Sequence, residues 1–130
     1  MITTEEFMQK DKFARHTGID LLEMSPGKAK ARMKIRAEHK NGMDVVHGGA
    51  IFTLADLVFA AASNSHDIPA LAINVSISYL KKVTSGTLTA QATEVSLNPR
   101  LGSYTVEVTD ENRELVAIFQ GMVYRKTEKK

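Results

Sequence analysis

Val46-His47-Gly48-Gly49-Ala50-Ile51-Phe52-Thr53-Leu54-Ala55-Asp56-Leu57-Val58-Phe59-Ala60-Ala61-Ala62-Ser63-Asn64 is the stretch on which the reading of this chain turns. From Ala50 to Ala62 only Thr53 and Asp56 are polar, and neither Gly nor Pro interrupts. The pattern predicts a buried helix of about 14 residues. It is too short to cross a membrane, which takes ~20 apolar residues.

At about 100° per residue, Gly49, Thr53, Asp56, Ala60, Ser63 and Asn64 fall on one narrow stripe, while Ile51, Phe52, Leu54, Leu57, Val58 and Phe59 cover the rest of the circumference. A helix with so large an apolar face needs a sheet wrapped around most of it. The small, polar seam needs a different neighbour.

The 130 residues bound the chain to a single domain over 1–130, and 43% apolar and 25% charged residues place it in the globular class. With no cysteine there is no disulfide framework, thiolate nucleophile or Cys-ligated zinc. The lack of disulfides fits a reducing compartment, and the start Met1-Ile2-Thr3-Thr4-Glu5-Glu6 lacks the pattern of a signal peptide, so a cytoplasmic location is expected. A net charge of +2 with no dominant basic run argues against nucleic acid as a partner. Lys28, Lys30, Arg32, Lys34 and Arg36 alternate with apolar residues and read as the solvated face of a strand, although such a face can also attract phosphates.

Outward from the central stretch, Thr3 or Thr4 followed by Glu5 and Glu6 predicts one short N-terminal helix that Gly18 ends. Leu21–Met24, the turn Ser25-Pro26-Gly27 and the alternating Lys28–Arg36 predict a hairpin. Ala37–Asp44 is a polar loop before the helix, and Ser65–Pro69 is a loop after it. Leu71–Leu80 reads as a strand with Ile73, Val75, Ile77 and Tyr79 on one face and Ala72, Asn74, Ser76, Ser78 and Leu80 on the other. Thr87–Leu97, Ser103–Thr109 and Leu115–Tyr124 follow as strands joined by short turns, with 126–130 as a frayed tail. Short turns make the last four strands antiparallel neighbours, so the expected class is α+β, an antiparallel sheet of five to six strands curled around one long helix.

Asn41, His47-Gly48-Gly49, Phe52-Thr53-Leu54-Ala55-Asp56 and Asn64, in that order and spacing, resemble the hotdog-fold acyl-CoA thioesterases of the PaaI-like group. The order of helix and strands agrees from about Gly18 to Tyr124. One position departs: Asp44 stands where many relatives carry glycine, three residues before the histidine. The resemblance implies hydrolysis of an acyl-CoA to a free acid and coenzyme A. No cofactor is implied, since the coenzyme belongs to the substrate.

Such a reaction needs a nucleophile or base, and donors for the oxygen charge that develops in the transition state. A strong general acid is dispensable, because a thiol of pKa near 8.5 leaves readily as thiolate. Asp56 is the carboxylate, set among apolar neighbours where desolvation raises its pKa; the plainer reading is a structural helical Asp. Gly48 and Gly49 open the helix, so their amides and the positive dipole end can hold a thioester oxygen, or they form simply a flexible start. The resemblance gives His47 a positioning role supported by Asn41, whose plainer account is the Asn41-Gly42 turn.

Gly48 and Asp56 lie ~12 Å apart along one helix, too far to act on one carbonyl. Two such helices antiparallel about a two-fold axis bring the Asp of one chain to the glycine end of the other. A homodimer with two composite sites is therefore expected, and the resemblance adds pairing of dimers into tetramers. Thr53 and Asn64 on the seam, with Asn74 and Ser76 on the small strand face, are candidates to contact substrate. Lys81, Lys82 and Arg100 in turns are candidates for the coenzyme A phosphates. His16 and His66 lack partners at metal-ligand spacing, so no metal is expected. Two other readings stand beside the hydrolase: a hotdog hydratase or dehydratase using His47 with Asp56, and a non-catalytic acyl-CoA-binding protein.

Overall fold

In a computed structural model, which describes residues 1–127, the chain forms a six-stranded antiparallel sheet curled around one helix. Residues 128–130 of the expected tail lie outside the described residues. In chain order the elements are α1 Thr4–Lys10, α2 Lys12–Thr17, β1 Ile19–Ser25, β2 Lys28–Lys34, a 3-10 turn Ala37–His39, α3 Gly48–Ser63, β3 Ala70–Tyr79, β4 Thr87–Leu97, β5 Leu101–Thr109 and β6 Leu115–Arg125. The sheet order is β1-β2-β4-β5-β6-β3. Among the described residues no helix is long and apolar enough to cross a membrane.

The central helix α3 has 16 residues and opens at Gly48, as expected, with His47 as its cap. Leu54, Ala55, Leu57, Val58 and Phe59 are buried against the sheet. Phe59 anchors the contact, with ring centroids 5.3 Å from Phe119 and 5.9 Å from Tyr104. Gly121 permits this approach, since a Cβ there would lie 2.6 Å from the Phe59 ring.

Three expectations are corrected. The N-terminal segment is two helices, because the Asp11 amide closes α1 onto the Phe7 carbonyl while its carboxylate caps α2 by accepting from the Ala14 amide at 3.1 Å. β4, β5 and β6 are antiparallel neighbours, but β3 pairs with β6 at the sheet edge, because the 80–86 connection crosses instead of turning back. Ile73 does not share the inner face with Val75 and Ile77: the register skips it between Ala72 and Asn74, and it is 55% exposed.

At the far end of α3, His66 Nε2 meets Glu94 at 2.6 Å, and the Tyr104 hydroxyl donates to the same carboxylate at 3.0 Å. These contacts fix the loop after α3 onto β4 and β5.

Candidate active site

The site begins at the first turn of α3. Backbone hydrogen bonds carry the chain into it: the Val46 amide donates to the Val83 carbonyl at 2.9 Å and the His47 amide to the His39 carbonyl at 2.7 Å. His39 is buried and is itself held at both nitrogens, by the Arg36 amide at 2.9 Å and the Thr17 carbonyl at 2.6 Å. Asn41 closes the loop in between, its side-chain oxygen accepting from the amides of Met43 (2.9 Å) and Val45 (3.3 Å). Asp44 has φ +64°, a left-handed conformation that glycine adopts freely and Asp tolerates. The departure at that position therefore leaves the turn intact.

His47 Nδ1 accepts the Gly49 amide at 2.8 Å, and the Ala50 and Ile51 amides close onto the His47 carbonyl. A neutral His47 that accepts at Nδ1 carries its proton on Nε2. Of the two glycine amides, Gly48's is the one left without an acceptor among the described residues. The Tyr79 hydroxyl donates to the Gly48 carbonyl at 3.0 Å, and a Cβ on Gly48 would lie 3.1 Å from the Tyr79 ring. Desolvation pushes the Tyr79 phenol up and keeps it a donor.

Asp56 lies two turns further along α3, half-buried. Its carboxyl is raised above the ordinary value, first by desolvation and then by the negative charge of Asp11. No hydrogen bond or ion pair reaches that carboxylate among the described residues. A desolvated, unpaired carboxylate on a helix has the chemistry that a base or nucleophile needs. No group of three His, Asp or Glu side chains able to hold a metal ion occurs among the described residues.

The remaining candidates separate. Thr53 lies on the seam between Gly49 and Asp56, its hydroxyl donating to the Gly49 carbonyl at 2.7 Å. Asn64 is tied to backbone, donating to Ala60 (2.9 Å) and accepting from the Ala70 amide (2.9 Å). Asn74 and Ser76 pair with Met122 and Gln120, on the side of the sheet turned away from α3, so their own protomer does not bring them to Asp56. Lys81 is engaged by Asp110 and Glu114, bracing the end of β3 on the β5–β6 turn. Lys82 is exposed at the rim of a cavity that also touches Gly48 and Tyr79, whereas Arg100 sits at the opposite end of the sheet beside Arg125.

Tyr79 and Asp11 are the residues that pattern reading passed over. Tyr79 looks like one more apolar position of a strand, and its contact with Gly48 spans 31 residues. Asp11 carried a readable signal, a cap residue inside the predicted N-terminal helix, but nothing local indicates that its charge reaches Asp56.

Comparison with known proteins shows the family. Residues 43–117 match the thioesterase superfamily. The chain is 45% identical over 126 residues to a curated protein of Archaeoglobus fulgidus, covering 95% of this chain and 82% of that one. It is 36% identical over 118 residues to the acyl-coenzyme A thioesterase PaaI of Escherichia coli, covering 90% and 84% respectively. A solved structure of the E. coli PaaI protein from the phenylacetic acid degradation operon superposes with a TM-score of 0.90 at 33% identity, covering 95% of this chain and 90% of that chain.

Proposed function

Since this chain belongs to the thioesterase superfamily and is a thioester hydrolase of the PaaI-like hotdog type, we propose that it hydrolyses acyl-CoA thioesters with Asp56 as the reacting carboxylate. The observation that carries the reading is Asp56 itself, desolvated, unpaired and raised, on the helix whose first turn carries the glycine amides. Ionised Asp56 either draws a proton from the attacking water or attacks the thioester carbonyl itself. The coenzyme A thiolate then leaves without a strong acid.

The oxyanion donor is the Gly48 amide, free at the positive end of α3, while Gly49's amide is spent on His47. His47 and Asn41 hold the turn in place, and Tyr79 fixes the Gly48 peptide from the other side. Within one protomer Gly48 and Asp56 remain ~12 Å apart along the helix. The reactive pair is therefore formed between two chains related by a two-fold axis.

The edge strand β3 supports that assembly. Paired with β6 on one side, it has no neighbouring strand on the other among the described residues, and Leu71 is 72% exposed, so its outer edge is a surface that a second copy covers. Lys82, beside Gly48, is the best placed of the basic candidates to meet the coenzyme A phosphates. The cysteine-free sequence suits the reducing cytoplasm, where we place the reaction.

Thiol release from acetyl-, octanoyl- and benzoyl-CoA, by the wild type and by Asp56→Asn and Asp56→Ala, tests the function. Loss of at least ~100-fold in kcat/KM in both variants, with the fold intact, is expected. Undiminished turnover in either variant removes Asp56 from the reaction.

A further inference from the structure

Between β2 and α3 the chain forms a small hairpin whose base is the pair His39 and His47. The His47 amide donates to the His39 carbonyl at 2.7 Å, Lys40 and Val46 form a bridge, and the Asn41 amide donates to the Val45 carbonyl at 2.8 Å. One arm of this hairpin runs straight into α3. The other arm is anchored by the His39 ring, in a residue only 4% exposed. Its Nδ1 accepts the Arg36 amide at 2.9 Å, so the neutral ring carries its proton on Nε2 and donates it to the Thr17 carbonyl at 2.6 Å. The Arg36 bond stays inside the 3-10 turn, which the His39 amide already closes onto the Arg36 carbonyl at 3.0 Å. The Thr17 bond spans 22 residues and ties the hairpin to the last residue of α2.

The ring borders the site without serving it directly. His39 shares a cavity of about 220 Å³ with His47, Gly49 and Thr53, yet both of its nitrogens are taken by backbone groups and have nothing to offer a substrate. What it controls lies one residue beyond His47. The His39 carbonyl fixes the His47 amide, and the next peptide carries the Gly48 amide. Peptides are planar, so only the φ (−65°) and ψ (136°) of His47 separate the two amides. A tilt of the hairpin therefore passes directly to the Gly48 N–H. Misplacement on the order of 1 Å is enough to lower a rate by about 100-fold.

We infer that His39 is a positioning residue of the hydrolysis, whose Nε2–Thr17 hydrogen bond holds the turn that carries the Gly48 amide against the end of α2. The inference rests on the reading above, in which Gly48 supplies the oxyanion donor. It gives α2 a role in the reaction, because this short helix ends where Thr17 presents a carbonyl that no helical amide takes up. The Arg36 guanidinium donates to the same carbonyl at 3.1 Å, so α2 stays capped when the His39 ring is replaced. Tyr79 grips the Gly48 carbonyl from β3. The donor is thus held from two elements, α2 through His39 and the sheet edge through Tyr79.

Two substitutions separate the two ring bonds. His39→Gln sets an amide donor where Nε2 stands and keeps the bond to Thr17, whereas His39→Asn sets an acceptor where Nδ1 stands and keeps only the bond to Arg36. With octanoyl-CoA, kcat stays within about threefold of wild type in His39→Gln and falls at least ~10-fold in His39→Asn, with KM within about twofold in both. Thr3→Ala removes the cap of α1 and loosens the N-terminal helices without touching His39, and it leaves kcat within about twofold. Hydrogen exchange reads the tether independently of activity: the His47 amide exchanges at least ~10-fold faster in His39→Asn than in Thr3→Ala or His39→Gln. Full kcat in His39→Asn, equal losses in the two His39 variants, or unchanged exchange at His47 overturns the assignment while leaving the hydrolase standing. A wild type that releases no thiol overturns the hydrolase reading, and the exchange rates still decide the tether. Should His39→Asn fail to fold, nitrogen NMR of the wild-type ring decides: the proton is expected on Nε2, and a ring protonated on Nδ1 overturns the tether.

Discussion

The hydroxyl of Tyr79, the last residue of β3, donates to the carbonyl of Gly48, the first residue of α3, at 3.0 Å. One hydrogen bond thus joins the sheet edge to the peptide beside the free amide. Tyr79→Phe keeps the ring against Gly48 and deletes only the donor. Its loss costs about 1 kcal/mol of stability or less, because the site is half open to water. Transition-state binding suffers more, because the Gly48 amide loses its fixed direction: kcat/KM falls about tenfold with KM nearly unchanged. Unchanged kcat makes the contact purely structural.

Asp56 weakens the fold that carries it. Its carboxyl is raised in the folded chain, so the unfolded chain releases the proton at lower pH. Stability from this group is full below the ordinary carboxyl value near pH 4, and is lost as pH rises through the raised value. Asp56→Asn removes the loss. Thermal unfolding should show the variant more stable than wild type at pH 7, with the gap closing at about pH 3. A variant equally stable at both pH values contradicts a raised Asp56.

Asp11 is the second cause of that raised value. Asp11→Asn removes the charge and keeps the cap on α2, since Asn caps as well as Asp does. The acidic limb of the kcat/KM profile then moves to lower pH, because Asp56 ionises more easily. A limb that stays in place separates Asp11 from the reacting group. A limb that moves up reverses the sign of the coupling.

Gly121 lies directly under the Phe59 ring. Gly121→Ala places a methyl where the ring stands and costs about 1–3 kcal/mol in denaturant unfolding. Phe59→Leu in the same chain frees the space, so the double variant loses less than the sum of the two single losses. Strict additivity would contradict this packing.

The central helix was legible because its apolar spacing admits no other element, and its seam already carried Gly49, Thr53 and Asp56. Asp56 stood out for the same reason, as one carboxylate in so apolar a run, although spacing alone left a structural helical Asp as the plainer reading. Tyr79 and Asp11 were not legible, because the Tyr79–Gly48 hydrogen bond and the effect of the Asp11 charge on Asp56 both arise from tertiary placement that no local pattern encodes. β3 was recognised as a strand but not as the edge, since a short connection does not reveal whether the chain turns back or crosses the sheet. The bulge at Ile73 escaped because strict alternation gives no warning of a skipped residue. Lys81 looked like a free turn lysine, and only the folded chain brings Asp110 and Glu114 to it.

A site shared between two chains is what mixed dimers measure. Asp56→Asn removes the carboxylate. Gly48→Pro removes the amide hydrogen at a position where proline suits both a helix start and the extended His47 before it. Each variant alone is inactive in thiol release. Unfolded and refolded together in equal amounts, they form dimers of which about half are mixed, and each mixed dimer carries one site with both groups intact. The predicted result is recovery to about a quarter of wild-type activity, half of the dimers at half strength. Mixtures no more active than the separate variants, despite exchange of subunits, would contradict a shared site.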